Sequence, residues 1–229
     1  MTIVLGFHGC DSEVASSLVS GKSFFEPSAN VYDWLGAGVY FFENSPQRAT
    51  KFAKFAAENP SLKTTKRPIK DPYIVGAVIE LGLCLDLTTS EFMGEIRDCF
   101  EEINKHGPPE LQKLKNLTNK ASLNQEIEAE RWNRPLDRSV LNYLHLRRER
   151  NGSPPFDTVR GAFQQGQPVF PGACIQEGTH IQIAVRNPNS ILGIFAPMEP
   201  KLASLWKSAL EDPDFNHYEK TDLAAKKHK

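Results

Sequence analysis

Four side chains, at three places far apart along the chain, are of types that take part in chemistry. His8, followed by Gly9, ends the apolar run Ile3-Val4-Leu5-Gly6-Phe7. Tyr40 lies in Val39-Tyr40-Phe41-Phe42, entered through Gly36-Ala37-Gly38. His180 and Gln182 lie in Thr179-His180-Ile181-Gln182-Ile183-Ala184-Val185, two residues apart and so on one face of a strand. An imidazole titrates near neutrality and can donate, accept or carry a proton. A glycine lets a ligand approach the backbone closely. A tyrosine ring offers a π-face to a cationic ring. A primary amide donates and accepts but brings no charge. Each also has a commoner structural use: a histidine closing a strand, a tyrosine in a core, a glutamine paired at a sheet edge. Periodicity alone leaves the function open.

The elements that must position these groups are of mixed type. Residues 3–8 read as a short buried strand. Asp11 or Ser12 caps a helix through Leu18 and Val19 that Gly21 stops. Residues 39–42 form a second strand. Asn44 or Ser45, with Pro46 next, opens a helix that turns Ala49, Phe52, Ala53 and Ala56 inward. Residues 73–87 read as one long central strand with a break at Gly82. Residues 86–89 cap a helix that buries Phe92, Ile96, Phe100 and Ile103, stopped at Gly107-Pro108-Pro109. Residues 111–150 are charged and helical in pattern, and residues 156–182 are rich in loop signals. Residues 180–185 and 191–195 read as closing strands joined by an Asn187-Pro188-Asn189 turn. A short amphipathic helix over 202–210 and a polar tail follow. The expectation is an α+β fold. One sheet-based domain covers residues 1–200, with a helical insertion at about 91–150, and residues 201–229 add a C-terminal helix and tail.

Composition narrows the partners. The chain has 229 residues, with 27 Lys+Arg against 28 Asp+Glu, a formal net charge of −1. A near-neutral chain is not a bulk polyanion binder, although a local basic patch remains compatible with that balance. The arginines at 131, 134, 138, 147, 148 and 150 are interleaved with Glu128, Glu130, Asp137 and Glu149, which fits a solvated helix face better than a nucleic-acid track. No apolar run approaches the ~18–20 residues of a membrane span, and no signal peptide is visible. Cys10, Cys84, Cys99 and Cys174 form no C-x-x-C pair. Free thiols in a reducing cytoplasm, with no metal site, are therefore expected.

Taken together, the motifs resemble a known family. Phe7-His8-Gly9, then Trp34-Leu35-Gly36-Ala37-Gly38-Val39-Tyr40-Phe41-Phe42, then residues 45–49, look like the nicotinamide-binding half of ADP-ribosyltransferases of the diphtheria toxin and poly-ADP-ribose polymerase branch. That branch has H-G at the end of its first strand, then a G-x-G-x-Y-F strand. Its next helix carries a small residue nine positions after the Tyr, matched here by Ala49. Its third motif is a Glu opening a late strand, where this chain has Gln182. The resemblance covers residues 3–57, 73–87 and 156–195, and leaves residues 91–150 unmatched.

The resemblance implies a split antiparallel β-sheet core flanked by helices, and NAD as co-substrate. It implies catalytic roles for His8, Tyr40 and Gln182. Gly9 would pair with the carboxamide, His8 with a ribose hydroxyl, and Tyr40 would stack on the pyridinium with Phe52 as a second wall. Such a site would cleave the nicotinamide–ribose bond through an oxocarbenium-like state, as in glycoside cleavage. Arg160 is a candidate for the NAD diphosphate, with a salt bridge to Asp157 or Glu80 as its structural alternative. Glu177 and His180 are candidates for acceptor recognition. The activity implied is mono-ADP-ribosyl transfer to a protein or nucleic acid, in an intracellular toxin or anti-viral effector with a possible inhibitory partner protein. A degenerate binding module or an NAD glycohydrolase are the alternatives that Gln182 keeps open.

Overall fold

The computed structural model describes residues 1–30, 33–62, 65–116 and 134–197. Two compact units divide the chain, Met1–Phe195 and Ala196–Lys229. The expected 202–210 helix and the tail lie outside the described residues. The first unit is α+β. Its strands are β1 (Ile3–Asp11), β2 (Val39–Glu43), β3 (Pro72–Glu80), β4 (Cys84–Asp86), β5 (Thr158–Phe163), β6 (His180–Val185) and β7 (Ile191–Phe195). Five helices are described: α1 (Ser12–Val19), α2 (Pro46–Glu58), α3 (Met93–His106), α4 (Pro109–Gln112) and α5 (Pro135–Arg150).

Local signals account for the helix starts. Asp11 caps α1, its carboxylate accepting from the Glu13 N–H at 3.1 Å. Pro46 opens α2, which buries Ala49, Ala53 and Ala56 against β1 and β3. In α3 the expected inward face holds at Ile96 and Ile103, with Phe92 just before the helix, and departs at one position. Cys99 is fully buried with Ile103, while Phe100 is 38% exposed.

The strands form one sheet in the order β4-β5-β6-β2-β1-β3-β7. It is mixed, not wholly antiparallel, because β4 pairs parallel with β5. A parallel pair needs a long crossover, and the helical insertion between the two strands supplies it. The expected split sheet is instead hydrogen-bonded throughout. The joint between its halves is thin: β1 meets β2 only at Gly6↔Glu43 and Phe7↔Phe42, whereas β1 and β3 pair from Ile3↔Glu80 to Asp11↔Pro72.

The single long strand expected over residues 73–87 is two strands far apart in this order, β4 at one edge and β3 next to last at the other side. Gly82, at φ +57°, turns the chain between them. Asp157 occupies the space a side chain at Gly82 would need, and its carboxylate accepts from the Leu83 N–H at 2.8 Å. The three residues between β3 and β4 reach only roughly 10 Å, so the sheet must fold back on itself. Val39, Phe41, Ile183 and Val185 of β2 and β6 meet Ala77 and Ile79 of β3 in the core this creates. A second core lies under the insertion, where Cys99, Ile103, Val140, Leu141 and Leu144 of α3 and α5 pack on Leu85, Val159, Trp34 and Leu35. Strand β5 falls inside the stretch read as loop-rich. Its Gly161 and polar neighbours hide its period, and it is recognisable only by its pairing to β6.

Candidate functional site

The thin β1–β2 joint is where the sequence-expected residues gather. The Leu5 carbonyl accepts from the Asn44 N–H at 2.8 Å, so Leu5, Phe7 and Gly9 present their backbone groups toward β2. A continued ladder would next join Gly9 to Tyr40. It stops instead, because the His8 imidazole takes that place: Nδ1 lies 2.8 Å from the Tyr40 carbonyl. A carbonyl only accepts, so Nδ1 carries the proton and Nε2 of the neutral ring remains an acceptor. Burial pushes the His8 pKa down against a smaller opposing effect of this bond. The Gly9 N–H and C=O are thereby aimed into the gap beyond the last rung. A side chain at Gly9 would run into the Ala49 carbonyl at 2.6 Å and the Phe52 ring at 3.1 Å, so α2 closes directly over this backbone.

Strand register assigns the faces. Phe42 is opposite Phe7 and Gln182, and Tyr40 is opposite Ala184, so Gly9, Tyr40, Phe42, His180 and Gln182 share one face. The His8 ring lies on the other face, edge-on to Phe25 at 5.5 Å and Phe41 at 5.8 Å. Tyr40 is not free to swing: its hydroxyl donates to the Gly36 carbonyl at 2.8 Å and accepts from the Leu35 N–H at 2.9 Å. Burial pushes its pKa well up. Gly36 takes φ +86°, and Asn142 and His145 of α5 crowd the place of its missing side chain. The insertion thus holds the turn that holds Tyr40.

Gln182 stands in a directed chain of hydrogen bonds. Trp34 Nε1 donates to its Oε1 at 2.7 Å. The amide Nε2 lies 2.9 Å from His180 Nε2, and His180 Nδ1 lies 2.6 Å from the Gly178 carbonyl. That carbonyl requires the proton on Nδ1, so His180 Nε2 accepts from the amide. A glutamine meets both demands at once. A carboxylate has no proton to give His180 Nε2. Gly161, beside Gln182 on β5, leaves room for the indole, whose Cη2 lies 2.7 Å from where a Cβ would stand.

The remaining expectations divide. Phe52 stands on the Gly9 side, 6.0 Å from the Phe42 ring. Arg160 has another task. It points to the opposite face from Gln182, where Glu43 binds it through two bonds of 2.6 and 3.0 Å and Asp86 through one of 3.0 Å. These carboxylates, rather than Asp157 or Glu80, are its partners, and the Glu43 hydrogen bonds above all hold its pKa up. His180 is 7% exposed, with the rings of Phe42 and Phe163 at 5.1 and 5.5 Å. Glu177 is exposed on the loop before β6, whose arms are joined by the Pro168↔Gln176 bridge.

Two contributors were not singled out for the site by the sequence. These are Trp34, at the start of the glycine-rich motif, and Arg134, one of the basic run. The guanidinium of Arg134 lies 4.6 Å from the Trp34 ring centroid and 4.5 Å from that of Phe163. Among its neighbours in the run, Arg138 donates to the Ala29 carbonyl, Arg147 pairs with Glu102, and Arg148 with Glu95. Among the described residues no group of three or more His, Cys, Asp or Glu could hold a metal ion. No described helix is long and apolar enough to cross a membrane. A shallow depression along α1, lined by Ser12, Glu13, Ser16, Ser17, Ser20 and Lys22, includes none of the site residues.

No family model matches the chain, and no solved structure does. A stretch of 58 residues, 25% of the chain, is 36% identical to a part of the tRNA pseudouridine synthase D of Geobacter metallireducens that covers 14% of that protein.

Proposed function

We propose that the protein is a mono-ADP-ribosyltransferase with an ADP-ribosyltransferase-like fold, taking NAD as co-substrate and a macromolecule as acceptor. The observation that carries the reading is the interrupted ladder at Gly9. There the His8 imidazole takes the Tyr40 carbonyl and leaves one N–H and one C=O side by side, the complement of a primary carboxamide. Tyr40 and Phe52, near that edge, supply ring faces for a flat pyridinium, worth roughly 0.5–2 kcal/mol for a cation over a π-face. His8 Nε2, on the face opposite Gln182, keeps an acceptor lone pair that a ribose hydroxyl would reach only through the gap at Gly9. Gln182 keeps one amide proton and one lone pair beyond those used by Trp34 and His180, enough to orient the ribose. It offers no negative charge to the oxocarbenium-like state, which suits transfer of a single ADP-ribose and places the base on the acceptor or on a nearby carboxylate. Glu177, exposed on the adjoining loop, is that candidate.

The engagement of both ends of the Gln182 amide favours a second reading, a binding module without turnover. A third reading has water as acceptor. Incubation with NAD labelled in its adenylate half and a cell lysate separates the three. Label on protein or nucleic acid is expected. Free labelled ADP-ribose alone indicates the hydrolase, and neither product indicates the binding module. Tyr40→Ala and His8→Ala, each checked for an intact fold, should abolish labelling. Two folded variants that label at the wild-type rate would refute the site assignment.

A further inference from the structure

We infer that the hairpin between β5 and β6 docks a protein acceptor through its apolar tip, so that the macromolecule modified is a protein and not a nucleic acid. The inference rests on the transferase reading and names its acceptor class. Residues 164–178 are tied into a hairpin by backbone bonds. The Gly178 N–H donates to the Gln165 carbonyl at 2.8 Å, the Glu177 N–H to the Gln167 carbonyl at 3.0 Å, and the Val169 N–H to the Ile175 carbonyl at 3.0 Å. A turn closes the tip: the Ala173 N–H donates to the Phe170 carbonyl at 2.9 Å, with Pro171 and Gly172, at φ +83°, between them. At the root the Gly178 carbonyl accepts from His180 Nδ1, and His180 Nε2 accepts from the Gln182 amide, which joins the hairpin to the site through two successive hydrogen bonds. Arg48 donates to the buried Gln165 at 2.6 Å and fixes the root to α2 as well.

The tip is apolar and open. Ile175, Phe170 and Val169 are 67, 60 and 51% exposed, three of the five most exposed large apolar side chains among the described residues. Scattered apolar side chains are ordinary on a surface, but three within seven residues form a patch, and a patch on a braced turn argues for a contact. The turn holds the aromatic ring at the tip, so little conformational freedom is left to lose when a partner encloses it. Charge selects the partner. Residues 164–178 hold no Lys, Arg or His, and their one charge is the acid Glu177. A nucleic acid is held by cations on its phosphates, and stacking of its bases is combined with a basic groove. An apolar pocket on a protein needs neither, and an enclosed aromatic anchor is the usual centre of a protein interface. Ile175 is two residues from Glu177, a reach of at most roughly 7 Å. A protein seated on the tip therefore lies beside the carboxylate that the transferase reading offers as base.

The test uses the full chain as wild type, Phe170→Ser with Ile175→Ser, and Phe170→Leu with Ile175→Leu, each incubated with NAD labelled in its adenylate half and a cell lysate. Protease and nuclease digestion then sort the labelled product. Label released by protease and resistant to nuclease is expected, at an initial rate that falls about 10–100-fold in the folded double serine variant. The double leucine variant keeps the apolar surface and should lose less than about threefold. NAD affinity by calorimetry should stay within about twofold in both, since neither position is among those assigned to NAD. Label that nuclease releases overturns the inference and leaves the transferase reading standing. So does protein labelling at the wild-type rate in the double serine variant. A dimer, or binding to phosphatidylcholine vesicles, that the serine changes abolish gives the tip another occupant and overturns the inference too. Wild-type protein that neither binds NAD nor transfers label overturns both the inference and the transferase reading.

Discussion

Replacing His145 by glutamine should remove a measurable part of the protein's sensitivity to acid. His145 lies on α5 under the Gly36 turn that fixes the Tyr40 hydroxyl, is 5% exposed, and has a buried Nε2 with no hydrogen-bond partner. Burial above all, with Arg186 and Arg148 nearby, pushes its pKa down to about 3. Above the ordinary imidazole value near 6.5 the ring is neutral in the folded and unfolded chain alike, and its contribution does not vary with pH. Below that value the unfolded chain takes up a proton that the folded chain refuses until about pH 3, so folded stability falls across this window. At pH 5 the linkage amounts to about 2 kcal/mol. Urea unfolding at pH 7.5 and pH 5 measures it. The wild-type loss between the two should exceed that of His145→Gln by about 2 kcal/mol, whatever the other histidines contribute to both. Equal losses in the two proteins would show that the ring is hydrated or partnered in the folded state, and would refute the closed packing of α5 on the Tyr40 turn.

Gly9→Ala must push its Cβ against the Ala49 carbonyl, and should cost about 1–3 kcal/mol by overpacking while abolishing nicotinamide binding, read by thermal unfolding and calorimetry. Trp34→Phe keeps the ring but removes the donor to Gln182, and should cost about 1 kcal/mol while lowering NAD turnover at least tenfold in the labelling assay. Arg160→Met leaves Glu43 and Asp86 without their cation in a partly buried setting, where side-chain exposures are 20% for Arg160, 10% for Glu43 and 23% for Asp86. It should destabilise the fold by about 2–4 kcal/mol in urea and leave NAD affinity unchanged.

The local signals in this chain state local facts. The aspartate before α1, the Ser45-Pro46 start of α2 and its alanine stripe, and the apolar runs of β1, β2, β6 and β7 are each written within a few residues, because caps, backbone restriction and periodicity act over a single turn or strand. The residue types of the site were legible for the same reason. Their company was not. That Gly82 splits one apolar run between two distant strands of the sheet, that β5 lies inside a loop-rich stretch, and that Arg160 faces Glu43 follow from strand pairing. Trp34 reaches Gln182 across 148 positions, and Arg134 reaches Trp34 only because the insertion packs on β4 and β5. The sequence by itself determined where most short segments become helix or strand and which side chains are of types that can carry chemistry. Tertiary structure alone decided which of those side chains share a face, because strand order and register are fixed by hydrogen bonds and burial between segments far apart in the chain, which no local window contains.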